Sequence, residues 1–216
     1  RPVGSRYSDI TVFSFHAVKI VTTAEGGMLA TQDPDLANRL RLLRSHGMTR
    51  NRNEMTRASD GPWYYEQILL GYNYRMTDVQ AALGLSQLAR LADLQRCRNE
   101  SADRYDRILA DMPLLLPARV VDRTSAWHLY AIEIDEIRTS RTRGEVFQKL
   151  RDAEIGVNVH YIPIHTQPYY TGLGFKRGDF PAAERYYARA ISIPLFPGMT
   201  EAQQDRVAGV LGQALG

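Results

Sequence analysis

Apolar positions along the chain alternate between a period of two and a period near 3.6, which predicts a mixed α/β fold. Asp9-Ile10-Thr11-Val12-Phe13-Ser14-Phe15-His16 alternates in part and is rich in β-branched and aromatic residues, so it reads as a strand. A second strand is expected at Gly27-Met28-Leu29-Ala30-Thr31, after a Glu25-Gly26-Gly27 turn in which two glycines permit a tight reversal. Asp33-Pro34 supplies an N-cap and a first-turn proline for a helix through Leu36, Leu40 and Leu43 that stops near Gly47. Residues 49–61 are polar and turn-rich and read as an exposed loop. Thr77 and Gln80 form a capping box that opens a long helical stretch with apolar Val79, Leu83, Leu88, Leu91 and Leu94 at near-helical spacing. A second stretch runs on to about Ala110.

A new unit begins after Pro113 and Pro117. Tyr130, Ile132 and Ile134 alternate with Ala131, Glu133 and Asp135, as in a strand with one buried face, and Trp127 and Leu129 extend its apolar start. Thr142 and Glu145 make another capping box, for a helix that runs to about Glu154 and ends at Gly156; a strand is expected directly afterwards at Val157-Asn158-Val159-His160. A Pro/Gly/Tyr-rich loop, a helix from about Pro181, a short strand at Ile191-Ser192-Ile193 and a last helix opened by Thr200 and Gln203 complete the pattern. The expected organisation is a larger, incomplete α/β unit over residues 1–111, with connecting helices at its end, followed by a small α/β domain over 112–216.

Composition narrows the function classes. Over 216 residues, 44 % hydrophobic and 24 % charged content is ordinary for a packed globular protein and excludes disordered or fibrous classes. No apolar run approaches bilayer length, and the first residues lack the hydrophobic centre of a signal peptide, so a cytoplasmic protein without a membrane partner is expected. One cysteine, Cys97, leaves no disulfide framework and no Cys-based zinc site; no metal is expected. The net charge of +3 is small, and the arginines are scattered along helices instead of forming a basic stripe, so nucleic acid is not an expected partner while phosphorylated or nucleotide ligands are permitted. The chain does not begin with methionine and its first element already leads to a candidate site, so it reads as a fragment.

Lysine usage singles out one residue. Of 27 cationic side chains only Lys19, Lys149 and Lys176 are lysines; the last two fall in a polar helix and a glycine-flanked loop. Lys19 is read at a strand end among Val18, Ile20 and Val21. Only a primary amine that can lose its proton attacks an aldehyde, and partial burial favours the neutral amine, so imine chemistry is open to Lys19 in a way arginine cannot match. A lysine snorkelling from a strand end fits the same spacing. Ser14, five residues earlier, could donate to a phosphate or simply bond within its strand, and the glycine turn serves a hairpin with or without a ligand.

Ser14-Phe15-His16-Ala17-Val18-Lys19 followed by Thr23-Ala24-Glu25-Gly26-Gly27-Met28 resembles the cofactor-lysine motif of the DegT/DnrJ/StrS sugar aminotransferases. Three further segments agree in order: Arg44-Ser45-His46-Gly47, then Gly71-Tyr72-Asn73-Tyr74-Arg75-Met76-Thr77-Asp78 with Gln80-Ala81-Ala82, then His160-Tyr161-Ile162-Pro163-Ile164-His165. The resemblance implies a pyridoxal-phosphate-dependent transferase of fold type I, aspartate-aminotransferase-like, here as a partial large domain with a mostly parallel sheet plus a small C-terminal α/β domain. It implies a homodimer with shared active sites. In that arrangement Lys19 holds pyridoxal 5'-phosphate as a Schiff base, Ser14 is a phosphate ligand, and Asn73 is one delivered to the neighbouring subunit, with Arg75 assisting. His160, Tyr161 and His165 fall where the small domain approaches the nucleotide-sugar, each histidine being equally consistent with a packed role.

The run from Val159 to Tyr170 is most similar to the branch that aminates a UDP-linked 4-keto-6-deoxy-N-acetylhexosamine on the way to pseudaminic acid, with glutamate as donor. Related pyridoxamine-dependent sugar dehydratases carry histidine where Lys19 stands, which argues against them. A non-catalytic nucleotide-sugar-binding or dimerisation module is the reading from another class. One departure from the family is large: the glycine-containing helix start, the ring that stacks on the pyridine and the acidic partner of its nitrogen, all placed ahead of the lysine, have no counterpart in this chain.

Overall fold

The computed structural model describes residues 2–5 and 7–216. The chain divides into two compact units, Arg1–Leu91 and Ala92–Gly216.

In the first unit, β1 (Thr11–Ser14) and β2 (Gly27–Ala30) pair antiparallel with Thr11 opposite Ala30 and Ser14 opposite Gly27. Both strands are shorter than the pattern predicts. The connection between them is a long loop, because the backbone bond that closes it runs from Phe15 N–H to the Gly26 carbonyl at 2.8 Å. The glycines are therefore not turn residues of a tight hairpin. Gly26 is needed for close approach: a Cβ there would lie 2.2 Å from Thr23 Oγ1, and the left-handed residue of the loop is Ala24, at φ 65°.

Helix α1 (Pro34–Leu43) starts where Asp33 accepts from the N–H groups of Asp35 and Leu36 at 2.8 and 3.0 Å. It stops before Gly47, whose φ of 71° and closeness to the Leu69 carbonyl leave no room for a side chain. A short pair not foreseen from the pattern, β3 (Met48–Thr49) with β4 (Glu66–Gln67), brackets the polar loop. That loop is held by two carboxylates: Glu54 accepts from Asn38, Thr49 and Asn51, and Glu66 from Thr56, Arg57 and Tyr64. Helix α2 (Asp78–Leu88) opens at the Thr77–Gln80 capping box.

The second unit is built on a three-stranded antiparallel sheet in the order β5 (Leu114–Leu115), β6 (Tyr130–Ile134), β7 (Ala190–Ile193). Tyr130, Ile132 and Ile134 are buried as the alternation requires, with Tyr130 opposite Ile193 and Ile132 opposite Ile191. Against them pack α3 (Leu91–Ile108) through Ala102 and Tyr105, with Leu109 just after it, α4 (Arg143–Asp152) through Val146 and Leu150, and α7 (Glu201–Leu215) through Val207, Leu211 and Ala214. Helix α3, a connecting element in the sequence pattern, thus supplies a wall of the second unit's core. Buried Arg98 ties its first turns to the sheet by donating to the Trp127 and Leu195 carbonyls, both at 3.0 Å. Helices α5 (Pro168–Gly172) and α6 (Pro181–Arg189) lie between the sheet strands in sequence, after a 3₁₀ turn at Ile164–Thr166.

Two expectations for this unit change. The strand expected at 157–160 reduces to one bridge, Asn158 with Ser192, because the Asn158 side chain accepts the next N–H, that of Val159, at 2.8 Å and so competes with a continuing ladder. Helix α4 ends at Asp152, with Glu154 (φ 58°) taking the left-handed position expected of Gly156. Every strand pairing among the described residues is antiparallel, so the mostly parallel sheet implied for a large domain is not contained in them.

The apolar core belongs to the second unit. In the first, among the described residues, Val21 is the buried apolar side chain, whereas Val12, Leu70, Tyr74, Val79 and Leu85 are each at least 70 % exposed. Ile132→Ala should destabilise the second unit by about 2–5 kcal/mol, by lost burial plus a cavity. Ile137→Ala, at a side chain 97 % exposed, should cost less than about 0.5 kcal/mol. Urea denaturation midpoints of the two variants check the contrast.

Candidate active site

Lys19 lies at the tip of the β1–β2 loop, not at the end of β1 as the pattern implies. The strand stops at Ser14 because the chain turns: Lys19 N–H donates to the His16 carbonyl at 2.9 Å, while the base of the loop closes where Thr23 N–H and Thr22 Oγ1 both donate to the Phe15 carbonyl. Thr23 is buried at 1 % exposure and its hydroxyl donates to the Glu25 carbonyl at 2.7 Å. That carbonyl also accepts from Gln80 Nε2 on α2 at 2.9 Å. Lys19 is half-buried, whereas Lys149 and Lys176 are exposed. No hydrogen bond or ion pair engages the Lys19 ammonium among the described residues. Ser14 is exposed at the end of β1, with a 3.5 Å contact from His16 N–H to its Oγ, and His16 stands 3.7 Å from the Glu25 carboxylate.

The Asn73–Arg75 segment is positioned by backbone lacing to the end of α1. Tyr72 N–H donates to the Leu43 carbonyl, His46 N–H to the Tyr72 carbonyl, and Tyr74 N–H to the Arg44 carbonyl, so Asn73 bridges Ser45. This brings two of the sequence motifs side by side. Gly71 is required there, since a Cβ would lie 2.4 Å from Gly47 N. Arg75 Nε donates to Asn73 Oδ1 at 3.1 Å, leaving both side chains exposed as one polar pair. No hydrogen bond or ion pair joins Lys19 to Ser14, Asn73 or Arg75 among the described residues; loop and segment are linked through Gln80.

In the second unit His160, Tyr161 and His165 follow β7's bridge partner Asn158. His160 Nδ1 lies 2.8 Å from Ser192 Oγ on β7, and its ring meets that of Tyr161 edge-on at 4.5 Å. Tyr161 is 69 % exposed. His165 is buried, packs on Phe180, and stands 2.8 Å from Glu184 Oε1 on α6; a carboxylate only accepts, so His165 Nε2 carries the proton. Gly178 N–H donates to the same oxygen. The His165 bond and the Gly178 bond together hold the Glu184 carboxyl below the usual carboxylate range. Sequence reading missed Glu184 and Ser192, which lie 19 and 32 residues from their histidines and give no local signal. Among the described residues no cluster of His, Cys, Asp and Glu could hold a metal ion, and no helix is long and apolar enough to cross a membrane.

This mixed α/β architecture is that of one part of a pyridoxal-phosphate-dependent transferase of fold type I. The chain belongs to the DegT/DnrJ/EryC1/StrS aminotransferase family, whose sequence profile matches residues 1–212. It is 45 % identical over 213 residues to the spore coat polysaccharide biosynthesis protein SpsC of Bacillus subtilis strain 168, covering 96 % of this chain and 54 % of SpsC. Among solved structures, the PMP form of the putative sugar aminotransferase Spr1654 from Streptococcus pneumoniae superposes with a TM-score of 0.87 at 30 % identity, covering 99 % of this chain and 52 % of Spr1654. Helicobacter pylori PseC, an aminotransferase involved in pseudoaminic acid biosynthesis, gives 0.86 at 31 % identity, over 97 % of this chain and 54 % of PseC. The chain thus spans about half the length of the relatives it matches. Pyridoxal phosphate is the cofactor of the family, and Spr1654 is known in both PLP and PMP forms.

Because the folded-state pKa of Glu184 is depressed, its contribution to stability is complete above its ordinary value of 4.5 and is lost as pH falls through the lower, folded-state value. Glu184→Gln removes that ionisation. The stability gap between wild type and variant, read from urea midpoints, should therefore shrink as pH falls below about 4.5.

Proposed function

We propose that this chain carries the cofactor-lysine portion of a sugar aminotransferase that moves an amino group from glutamate to C4 of a UDP-linked 4-keto-6-deoxy-N-acetylhexosamine. One observation carries the reading: Lys19 is half-buried yet unpaired among the described residues, in a chain that uses arginine for nearly every other cation.

The residues present fit a phosphorylated aldehyde cofactor. Ser14 offers an exposed hydroxyl near the lysine loop, and the Asn73–Arg75 pair offers an amide and a permanent cation suited to phosphate. In a homodimer with shared sites, which the family resemblance supports, Asn73 serves the neighbouring subunit. When bound, pyridoxal phosphate supplies an electron sink for charge developing at the donor's α-carbon. Lys19 Nζ would hold the cofactor through its aldehyde carbon and, as a free amine, would take the proton from the donor's α-carbon. In the second half-reaction the same nitrogen delivers a proton to C4 of the sugar. Tyr161 is the exposed one of the three polar candidates His160, Tyr161 and His165, and the one proposed to touch the nucleotide-sugar. His160 and His165 already face Ser192 and Glu184, which favours their shaping that surface over contacting substrate.

The similarity to PseC supports a nucleotide-sugar substrate in general; the UDP-linked 4-keto sugar is read from the Val159–Tyr170 run, and other keto-sugar nucleotides are the alternative within the family. Adding pyridoxal phosphate and borohydride to the chain should fix the cofactor on Lys19 in preference to Lys149 and Lys176, read by peptide mass spectrometry. Equal labelling of the three is the outcome for a non-catalytic module. In a form spanning the full length of the relatives, Lys19→Arg should lower amination of the UDP-ketosugar by at least about 10²-fold although the charge is kept; near-normal turnover refutes the assignment.

A further inference from the structure

A capping box asks its third helical residue for one acceptor, so glutamate and glutamine serve equally. The described residues form three such boxes. Glu145 caps α4, and Gln203 caps α7 with an amide nitrogen that donates to nothing among the described residues. Gln80 differs in using both ends of its carboxamide. Oε1 accepts from Thr77 N–H and Thr77 Oγ1, each at 3.0 Å, while Nε2 donates across 55 positions of sequence to the Glu25 carbonyl at 2.9 Å. One turn further along the same face, Gly84 is buried against the same loop: a Cβ there would stand 2.9 Å from Thr23 Cγ2. Thr23 in turn donates to the Glu25 carbonyl. The lysine loop is therefore gripped from α2 at two points, by a donor and by a missing side chain.

We infer that Gln80 is a positioning residue for Lys19: its carboxamide ties the start of α2 to the lysine loop, so that the Asn73–Arg75 segment leading into α2 and the amine share one frame. The inference rests on the reading of Lys19 as the cofactor lysine. Only Met76 separates Arg75 from Thr77, and Thr77 is joined to Glu25 by this one side chain. A loop tip that is free to swing could not keep its amine at bonding distance from an aldehyde held elsewhere by its phosphate.

Gln80→Glu separates the two ends of the amide, because it keeps the acceptor that caps α2 and replaces the donor with a second carboxylate oxygen facing a carbonyl. Hydrogen–deuterium exchange over residues 16–26 should rise about fivefold, the ratio one ordinary net hydrogen bond provides, while α2 stays equally protected. Gln203→Glu, the same swap at a box with no partner for the amide, should leave its surroundings unchanged. Gly84→Ala approaches from the other grip: alanine is the better helix former, yet its methyl presses on Thr23, so loop exchange should rise as helix exchange falls. The readout that a purely structural tie would not move is borohydride trapping with pyridoxal phosphate. The cofactor concentration for half-maximal labelling of Lys19 should rise about fivefold in Gln80→Glu, with Lys149 and Lys176 unaffected. Unchanged loop exchange in both Gln80→Glu and Gly84→Ala overturns the tie. Faster exchange with unaltered Lys19 labelling overturns the positioning role. Absence of selective Lys19 labelling in the wild-type chain overturns the reading of Lys19 itself, and the role assigned to Gln80 with it, whatever the loop exchange shows.

Discussion

The carbonyl oxygen of Glu25 accepts two hydrogen bonds, from the buried hydroxyl of Thr23 within the lysine loop and from the Gln80 amide on α2. Both lone pairs are used. Around this atom the loop is packed: Gly26 is excluded from carrying a side chain by Thr23 Oγ1, Gly84 by Thr23 Cγ2, and the chain from Phe15 to Gly26, which includes the half-buried Lys19, closes on itself. The loop is held by polar contacts and close backbone approach, since the unit buries almost no apolar side chain among its described residues.

The second unit rests on different physics. Its sheet and three helices bury a continuous apolar core, and the polar motif His160–His165 is attached to that rigid body through Ser192 on β7 and Glu184 on α6. Each attachment leaves Tyr161 outward.

Helix starts were the most legible features, because a capping box is a contact over three residues and needs no tertiary partner: Thr77, Thr142 and Thr200 each open a helix where the pattern places it. Strand existence was legible for β6, whose alternation matches one buried face. Strand ends were not. The expected strand at 157–160 failed to a local competitor, the Asn158 side chain, and the glycine turn before β2 was read for backbone freedom when the glycines were there for lack of bulk. Of the candidate site, Lys19 stood out as one of three lysines among arginines, set apart from the other two by its apolar neighbours and the motif around it.

By itself, then, the sequence determined the α/β class, the places where helices begin, the family motifs and the candidacy of Lys19, all of which depend on residue type and short-range spacing. Tertiary structure alone decided that Lys19 sits at a loop tip, that Gln80 reaches Glu25, that Asn73 lies beside Ser45, and that His165 meets Glu184. These are contacts between positions far apart in the chain. Their partners are chosen by how the elements pack, and no local pattern of hydrophobic and polar residues encodes that choice.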